Sequence, residues 1–299
     1  MNTTSGELIQ FEASDGLILT GFLAKSKYPN ETVVVHVHGF GGNFASFSSL
    51  FRIYGRALKQ GFSLFTINTR GAGLKTRFRS DNKSFTIGSS NEVFEDCVKD
   101  ISGAILAVKR LGFERVILSG HSTGCQKVTY YQSLTQNESV KGLILLAPTD
   151  DYNANKKDLG VKFDAAASLA KSMVALGMGH QPMPEETGVH FMSAMRFNSV
   201  ANLENPEANI FNYEAPKLNI YSKVEVPVLA VFGGQEQYRT KPVKQYIQKL
   251  YKDGNYRYTL EHINVSTFTG KIVAGAGHGF TGKASTLSKI IGKWIIEGK

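Results

Sequence analysis

The chain has 299 residues, of which 42% are hydrophobic and 20% are charged, and its formal net charge is +9. No apolar run reaches the roughly 18 residues of a membrane span, and the basic residues are scattered without a nucleic-acid-binding motif. The two cysteines are too few for a disulfide framework, and the first residues lack a basic region followed by an apolar one, so we expect a cytoplasmic protein with neither membrane nor nucleic-acid partners.

The first half of the chain alternates short apolar runs with helical periods, which predicts βαβ units and a mainly parallel sheet. Residues 8–12 and 17–24 flank the turn residues Ser-Asp-Gly and predict a β-hairpin. Ser89 and Glu92 form a capping box, which predicts the start of an amphipathic helix that Gly112 ends. The other elements predicted here are strands at 33–37, 63–67, 116–119 and 140–146 and helices at 45–59 and 123–134.

The alternation breaks between residues 148 and 222, a long stretch with helical pieces of its own. The elements predicted after it are a strand at 227–232, a helix with Pro242 near its first turn, a strand at 272–274 and an amphipathic helix at 287–295. Residues 253–270 receive no assignment. The length fits either one large α/β domain or a core domain that carries an inserted subdomain.

The most informative segment is Gly-His-Ser-Thr-Gly at residues 120–124, which has the pattern of a nucleophile elbow. An apolar strand runs into it and a helical pattern leaves it. A serine between a strand and a helix sits on a tight turn, where Gly120 and Gly124 remove side chains that would collide. The pattern predicts that Ser122 is a nucleophile and that the N–H of Thr123 donates to an oxyanion. The alternative is an ordinary surface serine in a glycine-rich turn.

A second glycine-rich segment, His-Gly-Phe-Gly-Gly at residues 38–42, follows the strand at 33–37. Its glycines let the backbone approach a ligand, and the N–H of Phe40 is the natural second oxyanion donor. The alternative is a simple turn between a strand and a helix.

A serine hydroxyl needs a base within hydrogen-bond reach. Of the seven histidines, His278 lies between the last predicted strand and the last helix, late in the chain, as the order serine, acid, histidine requires. We expect His36 to have a hydrogen-bonded core role and His38 to support its loop. His121 lies in the elbow itself, where it cannot easily face the neighbouring hydroxyl. The remaining three histidines lie in the central stretch or in the unassigned segment.

The base in turn needs an acid that fixes its tautomer. The expected place is the turn Gly-Gly-Gln-Glu at residues 233–236, directly after a predicted strand, and we predict Glu236. Asp150 and Asp151, which follow the preceding strand, are the alternatives.

These motifs, in this order, resemble the α/β-hydrolase superfamily, and the elbow sequence is similar to that of microbial esterases related to fungal siderophore esterases. The motifs that carry the resemblance lie at residues 38–42, 120–124, 233–236 and 277–280. The resemblance implies an α/β-hydrolase fold, with a mostly parallel central sheet flanked by helices and an inserted, mainly helical lid. The implied boundaries are 1–149 and 223–299 for the core and 150–222 for the lid.

The resemblance also implies roles for individual residues. Ser122 would be the nucleophile, His278 the base and then the acid, and Phe40 and Thr123 the oxyanion donors through their N–H groups. Glu236 stands where aspartate is the commoner residue of this family, and its extra methylene changes the reach to the imidazole.

The central stretch is rich in methionine, since all six methionines except Met1 lie between residues 173 and 195. Methionine is flexible and suits adaptable apolar surfaces. Met178, Met192, Met195 and Phe191 are therefore candidate substrate contacts, and the alternative is that they only pack this stretch onto the core. Substrate contacts of this kind favour an apolar or aromatic acyl group, such as hydroxycinnamoyl (feruloyl-type), or a short or medium acyl chain.

The sequence thus predicts a serine carboxylesterase that acts on a small-molecule ester through an acyl-enzyme. No cofactor or metal is expected, because no metal-ligand spacing such as H-E-x-x-H occurs. The alternatives are a thioesterase, a lactonase, or a peptidase or amidase of the same fold, in which Glu185 and Glu186 recognise a peptide terminus, and a non-catalytic small-molecule receptor.

Overall fold

The computed structural model describes residues 5–46, 50–80, 83–254 and 268–297, and within them ten strands form one sheet. The strands are β1 (Glu7–Glu12), β2 (Ile18–Ala24), β3 (Thr32–Val37), β4 (Ser63–Ile67), β5 (Arg77–Ser80), β6 (Lys83–Thr86), β7 (Arg115–His121), β8 (Val140–Leu146), β9 (Val228–Gly233) and β10 (Phe268–Val273).

The sheet is mixed, with the order β10-β9-β8-β7-β3-β4-β2-β5-β6 and β1 paired to β2. The six strands from β10 to β4 in this order are parallel, and the other pairings are antiparallel. The predicted mainly parallel sheet and the hairpin of β1 and β2 are therefore confirmed. The sequence does not predict β5 and β6, because most of their residues are exposed and lack a regular apolar alternation.

Helices cover both faces of the sheet. They are α1 (Leu50–Ile53), α2 (Gly55–Lys59), α3 (Cys97–Arg110), α4 (Thr123–Thr135), α5 (Asp151–Leu159), α6 (Phe163–Ala175), α7 (Ala194–Ala201), α8 (Pro206–Ile210), α9 (Val243–Asp253) and α10 (Ala284–Glu297). Because side chains alternate along a strand, Val33 and Val35 of β3 join one core cluster and Val34 joins the other. The first cluster includes residues of α3, α4 and α9, and the second includes residues of α1, α2 and α10.

Two of the predicted helices need correction. The helix predicted at 45–59 is present only as α1 and α2, and residues 47–49 of that interval lie outside the described residues. The capping box is wrong, because α3 begins at Cys97 and neither side chain caps it. The hydroxyl of Ser89 accepts the N–H of Gly41, and the carboxylate of Glu92 pairs with Lys127. Each of these two side chains therefore makes a tertiary contact and is not free to cap a helix.

Between β8 and β9 lies a helical segment, residues 151–222, that contains α5 to α8. Residues of α6, of α7 and of the stretch between them form an apolar cluster of their own, in which the rings of Phe163 and Phe197 pack edge to face. Phe211 and Tyr213, near the end of the segment, belong instead to the main core. Within the described residues, no helix is both long and apolar enough to cross a membrane. The assignment of residues 150–222 to a lid stays a prediction.

The unassigned interval 253–270 falls largely on residues 255–267, which lie outside the described residues. The strand predicted at 272–274 is longer than expected, because β10 begins at Phe268 and pairs in parallel with β9 from Val228 onward.

Candidate active site

Ser122 lies on a strained turn between β7 and α4. Its φ and ψ angles are 54° and −129°, a combination that non-glycine residues rarely adopt. The flanking glycines explain how the turn is possible. A Cβ atom on Gly120 would lie 2.3 Å from the carbonyl carbon and oxygen of Gly124, and one on Gly124 would lie 2.3 Å from the carbonyl oxygen of Val37. No side chain fits at either position, as the pattern of the elbow predicts.

The turn opens into a cavity of about 700 Å³ at the carboxyl ends of the parallel strands. Ser122, Thr123, Phe40 and His278 all line it. Parallel sheets with helices on both faces commonly bind ligands at this edge, since the connecting loops meet there.

A second cavity, of about 1070 Å³, lies at the opposite ends of the strands, where Thr32, Arg115 and Trp294 line it. None of the predicted site residues that the structure describes is among its lining residues. Volume alone therefore does not identify the site, whereas the cavity at Ser122 brings the chemically reactive groups together.

His278 and Glu236 form a hydrogen-bonded pair at the edge of the cavity. The Nδ1 of His278 lies 2.9 Å from the Oε1 of Glu236, and the Glu236 side chain is buried. The carboxylate oxygen accepts, so Nδ1 carries the proton and Nε2 is left as the acceptor in the neutral ring. Tyr238 packs edge-on against the His278 ring with a centroid distance of 4.7 Å.

Ser122 makes no hydrogen bond to His278 within the described residues, although both face the same cavity. A Cβ atom on Gly39 would lie 3.5 Å from the Ser122 hydroxyl oxygen, so this hydroxyl is close to the loop of residues 38–42. Catalytic hydrogen bonds are often long or unformed in ligand-free enzymes and form in the complex.

The alternative acids have other partners. Asp150 caps α5, since its Oδ1 accepts the N–H of Asn153 at 3.0 Å, and its Oδ2 accepts the N–H of Tyr213 at 3.0 Å. Asp151 lines the cavity and accepts hydrogen bonds from the side chains of Gln126 at 2.7 Å and Thr149 at 2.8 Å. Burial raises the pKa of Asp151 to about 7. Neither aspartate forms a hydrogen bond with His278 within the described residues.

The two predicted oxyanion donors both line the cavity, and neither the N–H of Phe40 nor that of Thr123 is donated to another group of the described residues. Hydrogen bonds hold the loop that carries Phe40. His38 donates from Nδ1 to the carbonyl of Gly39 at 2.9 Å, and Gly41 donates its N–H to the hydroxyl of Ser89 at 2.9 Å. Two preoriented N–H groups can receive the negative charge of an oxyanion.

The other histidines have structural surroundings. Burial lowers the pKa of His36 to about 3 and that of His38 to about 4, so both rings are neutral. His36 bonds through Nδ1 to the hydroxyl of Ser119 at 3.0 Å, in the core role expected for it. His180 and His190 are exposed in the helical segment, and His262 lies outside the described residues.

Of the four candidate substrate contacts, Met192 lines the cavity. Met178, Met195 and Phe191 are not among its lining residues, which corrects our expectation for them. Met178 and Phe191 are 47% and 70% exposed, and Met195 packs against Gly179 instead. Met178 follows the end of α6, Phe191 lies before α7 and Met195 lies in its first turn, and the sequence pattern does not define these boundaries.

Among the lining residues that the sequence interpretation misses are Gln237, Tyr238 and Arg196. Gln237 and Tyr238 directly follow the predicted acid, so their position in the sequence could have indicated them. Arg196 lies within α7, where no local signal separates a buried arginine from an exposed one. Its guanidinium carbon lies 5.8 Å from the centroid of the Phe40 ring.

A mixed, mostly parallel sheet, helices on both faces and a glycine-flanked serine after a central strand define the α/β-hydrolase fold. The chain belongs to the family described as protein of unknown function DUF1749, whose sequence profile matches residues 73–297. No curated protein matches the sequence significantly.

Solved structures with this fold match nearly the whole chain. The siderophore hydrolase EstB from Aspergillus fumigatus is 16% identical with a TM-score of 0.66, and the match covers 99% of this chain and 97% of that one. Est1E from Butyrivibrio proteoclasticus is 13% identical with a TM-score of 0.60, at 98% and 99% coverage. The carboxylesterase CesB from Bacillus subtilis is 14% identical with a TM-score of 0.55, at 98% and 90% coverage. At these identities the likeness shows the fold.

Proposed function

We propose that this protein is a carboxylic ester hydrolase with Ser122 as nucleophile, His278 as general base and Glu236 as the acid of a triad. The observation that carries the proposal is the partly buried hydrogen bond between Glu236 and His278, at the edge of the cavity into which the strained Ser122 turn opens. The esterase names of several proteins with the same fold add support.

The mechanism follows from the positions of these groups. Ser122 Oγ rotates toward His278, gives its proton to Nε2 and attacks the ester carbonyl carbon, while Glu236 stabilises the imidazolium. The N–H groups of Phe40 and Thr123 stabilise the oxyanion. The tetrahedral intermediate collapses, His278 protonates the leaving alcohol, and an acyl-enzyme remains on Ser122. Water, deprotonated by His278, then attacks the acyl carbonyl, and the carboxylic acid leaves as Ser122 regains its proton.

We propose an apolar or aromatic acyl group for the substrate, such as hydroxycinnamoyl or a short or medium chain. Phe40, Leu50, Met192 and Val200 supply apolar surface to the cavity wall. One structure of Est1E holds bound ferulic acid, and EstB is a siderophore hydrolase, so proteins of this fold accept sizeable acyl or alcohol groups. Met192 and Val200 belong to the helical segment, which in this proposal acts as a lid over the cavity.

The decisive experiment compares wild type with Ser122→Ala on p-nitrophenyl esters of increasing acyl length and on methyl ferulate. We expect the variant to lose at least about 10³-fold in kcat, because the nucleophile is gone. Fluorophosphonate should label wild type and not the variant. Ser168→Ala, at an exposed position of α6, is the control and should keep the wild-type rate.

Retention of the wild-type rate by Ser122→Ala would end the proposed mechanism, and so would a wild-type protein that neither hydrolyses an ester nor reacts with fluorophosphonate. A preference for the acetate ester over all larger acyl groups would contradict only the proposed substrate class.

A further inference from the structure

Ser122 and Glu236 each have a sequence neighbour whose side chain bonds to the backbone of His278. His121 precedes Ser122, and its Nε2 lies 3.0 Å from the carbonyl oxygen of His278. Gln237 follows Glu236, and its Oε1 accepts the N–H of His278 at 2.7 Å. The backbone N–H and C=O of His278 are thus both held, one from the loop of the acid and the other from the elbow of the nucleophile.

The direction of the His121 bond fixes the state of its ring. A carbonyl oxygen only accepts, so Nε2 of His121 carries a hydrogen. Burial, reinforced by the neighbouring His278, lowers the pKa of His121 to about 4, so the ring is neutral at neutral pH. It packs with a centroid distance of 5.0 Å to the His278 ring and 6.5 Å to the Phe280 ring. His121 therefore connects the two loops as a neutral donor, in addition to its apolar packing.

The contact with Gln237 also accounts for a glycine of the His278 loop. A Cβ atom on Gly277 would lie 2.4 Å from the Nε2 of Gln237. The space that a side chain would need beside His278 is therefore occupied by the amide of Gln237. A side chain at position 277 would displace this amide from its present place beside the N–H of the next residue.

The loop between β10 and α10 needs such support because its backbone is irregular. Gly275, Phe280 and Gly282 all have positive φ angles, of 64°, 50° and 75°. The hydrogen bond from Nδ1 to Glu236 orients the His278 ring but does not by itself hold the peptide groups of residue 278. The neighbouring residues are held by their own backbone bonds, such as that from the N–H of Gln235 to the carbonyl of Ala276. A base must be held to a fraction of an ångström for proton transfer, and a misplacement of about 1 Å can cost about 100-fold in rate.

We propose that His121 and Gln237 are positioning residues that clamp the peptide backbone of His278 and thereby set the distance between the base and Ser122. This inference rests on the proposed ester hydrolysis, since it assigns a purpose to the geometry of the same site. Neither side chain is proposed to exchange a proton with the substrate.

The test uses a removing and a conserving variant at each position. His121→Leu removes the donor and His121→Gln keeps an N–H near the place of Nε2; Gln237→Leu removes the acceptor and Gln237→Glu keeps it. We expect kcat to fall about 10- to 100-fold in His121→Leu with KM within about 3-fold of wild type, and His121→Gln to recover most of the loss. His180→Leu, at an exposed histidine, is the control and should match wild type.

The two Gln237 variants add a second measurement, the pH profile of kcat, which a change in packing alone would not alter. Gln237 is exposed, so its substitution does not threaten the fold if His121→Leu fails to fold. Gln237→Leu should lower kcat throughout the pH range. Gln237→Glu should keep kcat at high pH and move the acid limb of the pH profile upward, because a negative charge beside His278 favours the protonated ring.

The clamp is overturned if His121→Leu folds and keeps the wild-type kcat and pH profile. If His121→Leu does not fold, the same result for Gln237→Leu overturns it. If the wild-type protein hydrolyses no ester, the proposed function fails separately, and the clamp is then judged by NMR. In that case the Cε1 proton of His278 should change its chemical shift and broaden in Gln237→Leu, and an unchanged signal would overturn the clamp.

Discussion

The carboxyl group of Glu236 is hydrogen-bonded on one side only. Oε1 accepts from Nδ1 of His278 at 2.9 Å and from the N–H of Tyr238 at 3.2 Å, whereas Oε2 is buried without a hydrogen-bond partner among the described residues. A buried, incompletely satisfied carboxylate is costly on its own. It is stabilised when the neighbouring imidazole becomes positively charged, which is the state that proton transfer from Ser122 creates.

Alanine variants separate the acid from its alternatives. We expect Glu236→Ala to lower kcat about 10³- to 10⁴-fold, because His278 loses both its orientation and the negative charge beside it. Asp150→Ala removes the cap of α5 and leaves buried donors unpaired, so it should cost about 1–3 kcal/mol in the free energy of unfolding with kcat close to wild type. Steady-state kinetics and urea unfolding of both variants measure these effects. A near-normal kcat for Glu236→Ala beside a lost kcat for Asp150→Ala would reverse the assignment.

Residues fixed by a local motif were predictable, and those fixed by a distant partner were not. Ser122, His278 and Glu236 each follow a recognisable strand, so the sequence indicates where they meet. Asp151, which the sequence indicates only as an alternative acid, lines the cavity, where burial raises its pKa to about 7. The side chains of Gln126 and Thr149 hold it there, and neither contact is visible in the sequence. The roles of the three predicted residues stay a proposal until the variants are measured.

At the scale of secondary structure, the elbow depends on more than its own five residues. Val37 of β3 pairs in parallel with Gly120 of β7, and this pairing brings the carbonyl of Val37 against Gly124 at the start of α4. The helix can therefore begin directly after Ser122 only if residue 124 has no side chain. The glycine pattern is local, but the reason for its second glycine is a neighbouring strand.

Gly124→Ala should accordingly be destabilising. Its Cβ would lie 2.3 Å from a backbone oxygen, which cannot rotate away, so β3 or α4 must shift, and we expect a loss of at least about 2 kcal/mol together with reduced kcat. Gly55→Ala is the matched control, because nothing lies within 4 Å of the added Cβ at the start of α2. It should be neutral or stabilising by up to about 1 kcal/mol. Equal urea midpoints for the two variants would show that the close approach at Gly124 does not constrain the elbow.

Helix boundaries were the weakest part of the sequence interpretation for a related reason. The pattern of Ser89 and Glu92 is that of a helix start, yet both side chains bond to other elements and α3 begins at Cys97. The apolar periodicity that predicts the body of α3 is confirmed, since Ile101, Ile105 and Val108 are buried. Apolar periodicity depends on the burial of a whole helix face, which involves many residues. A capping pattern depends on one or two hydrogen bonds, and a partner from another element can replace them.

For the whole molecule, the attachment of the helical segment to the core involves buried charges. Arg196 of α7 pairs with Glu207 of α8 through two hydrogen bonds of 2.5 and 2.7 Å, and its Nε donates to the carbonyl of Ser89 at 3.2 Å. Glu92, 3.8 Å from the same Nε, is paired with Lys127 of α4 at 2.6 Å. All four charged side chains are at most 2% exposed. Arg196 thus links two helices of the segment and also links the segment to the stretch before α3 that carries Ser89 and Glu92.

Removal of this arginine should destabilise the molecule far more than removal of a surface charge. Arg196→Met leaves Glu207 buried without its cation, and we expect a loss of about 3–5 kcal/mol in urea unfolding. Lys171→Met breaks the pair of Lys171 with Glu204, whose side chains are 60% and 72% exposed, and should cost less than about 1 kcal/mol. The double variant Arg196→Met/Glu207→Met should recover part of the loss, because it removes the unpaired charge as well. If the single Arg196 variant costs no more than the Lys171 control, the buried charges do not hold the helical segment in place, and the packing of residues such as Phe211 and Tyr213 in the main core is sufficient to attach it.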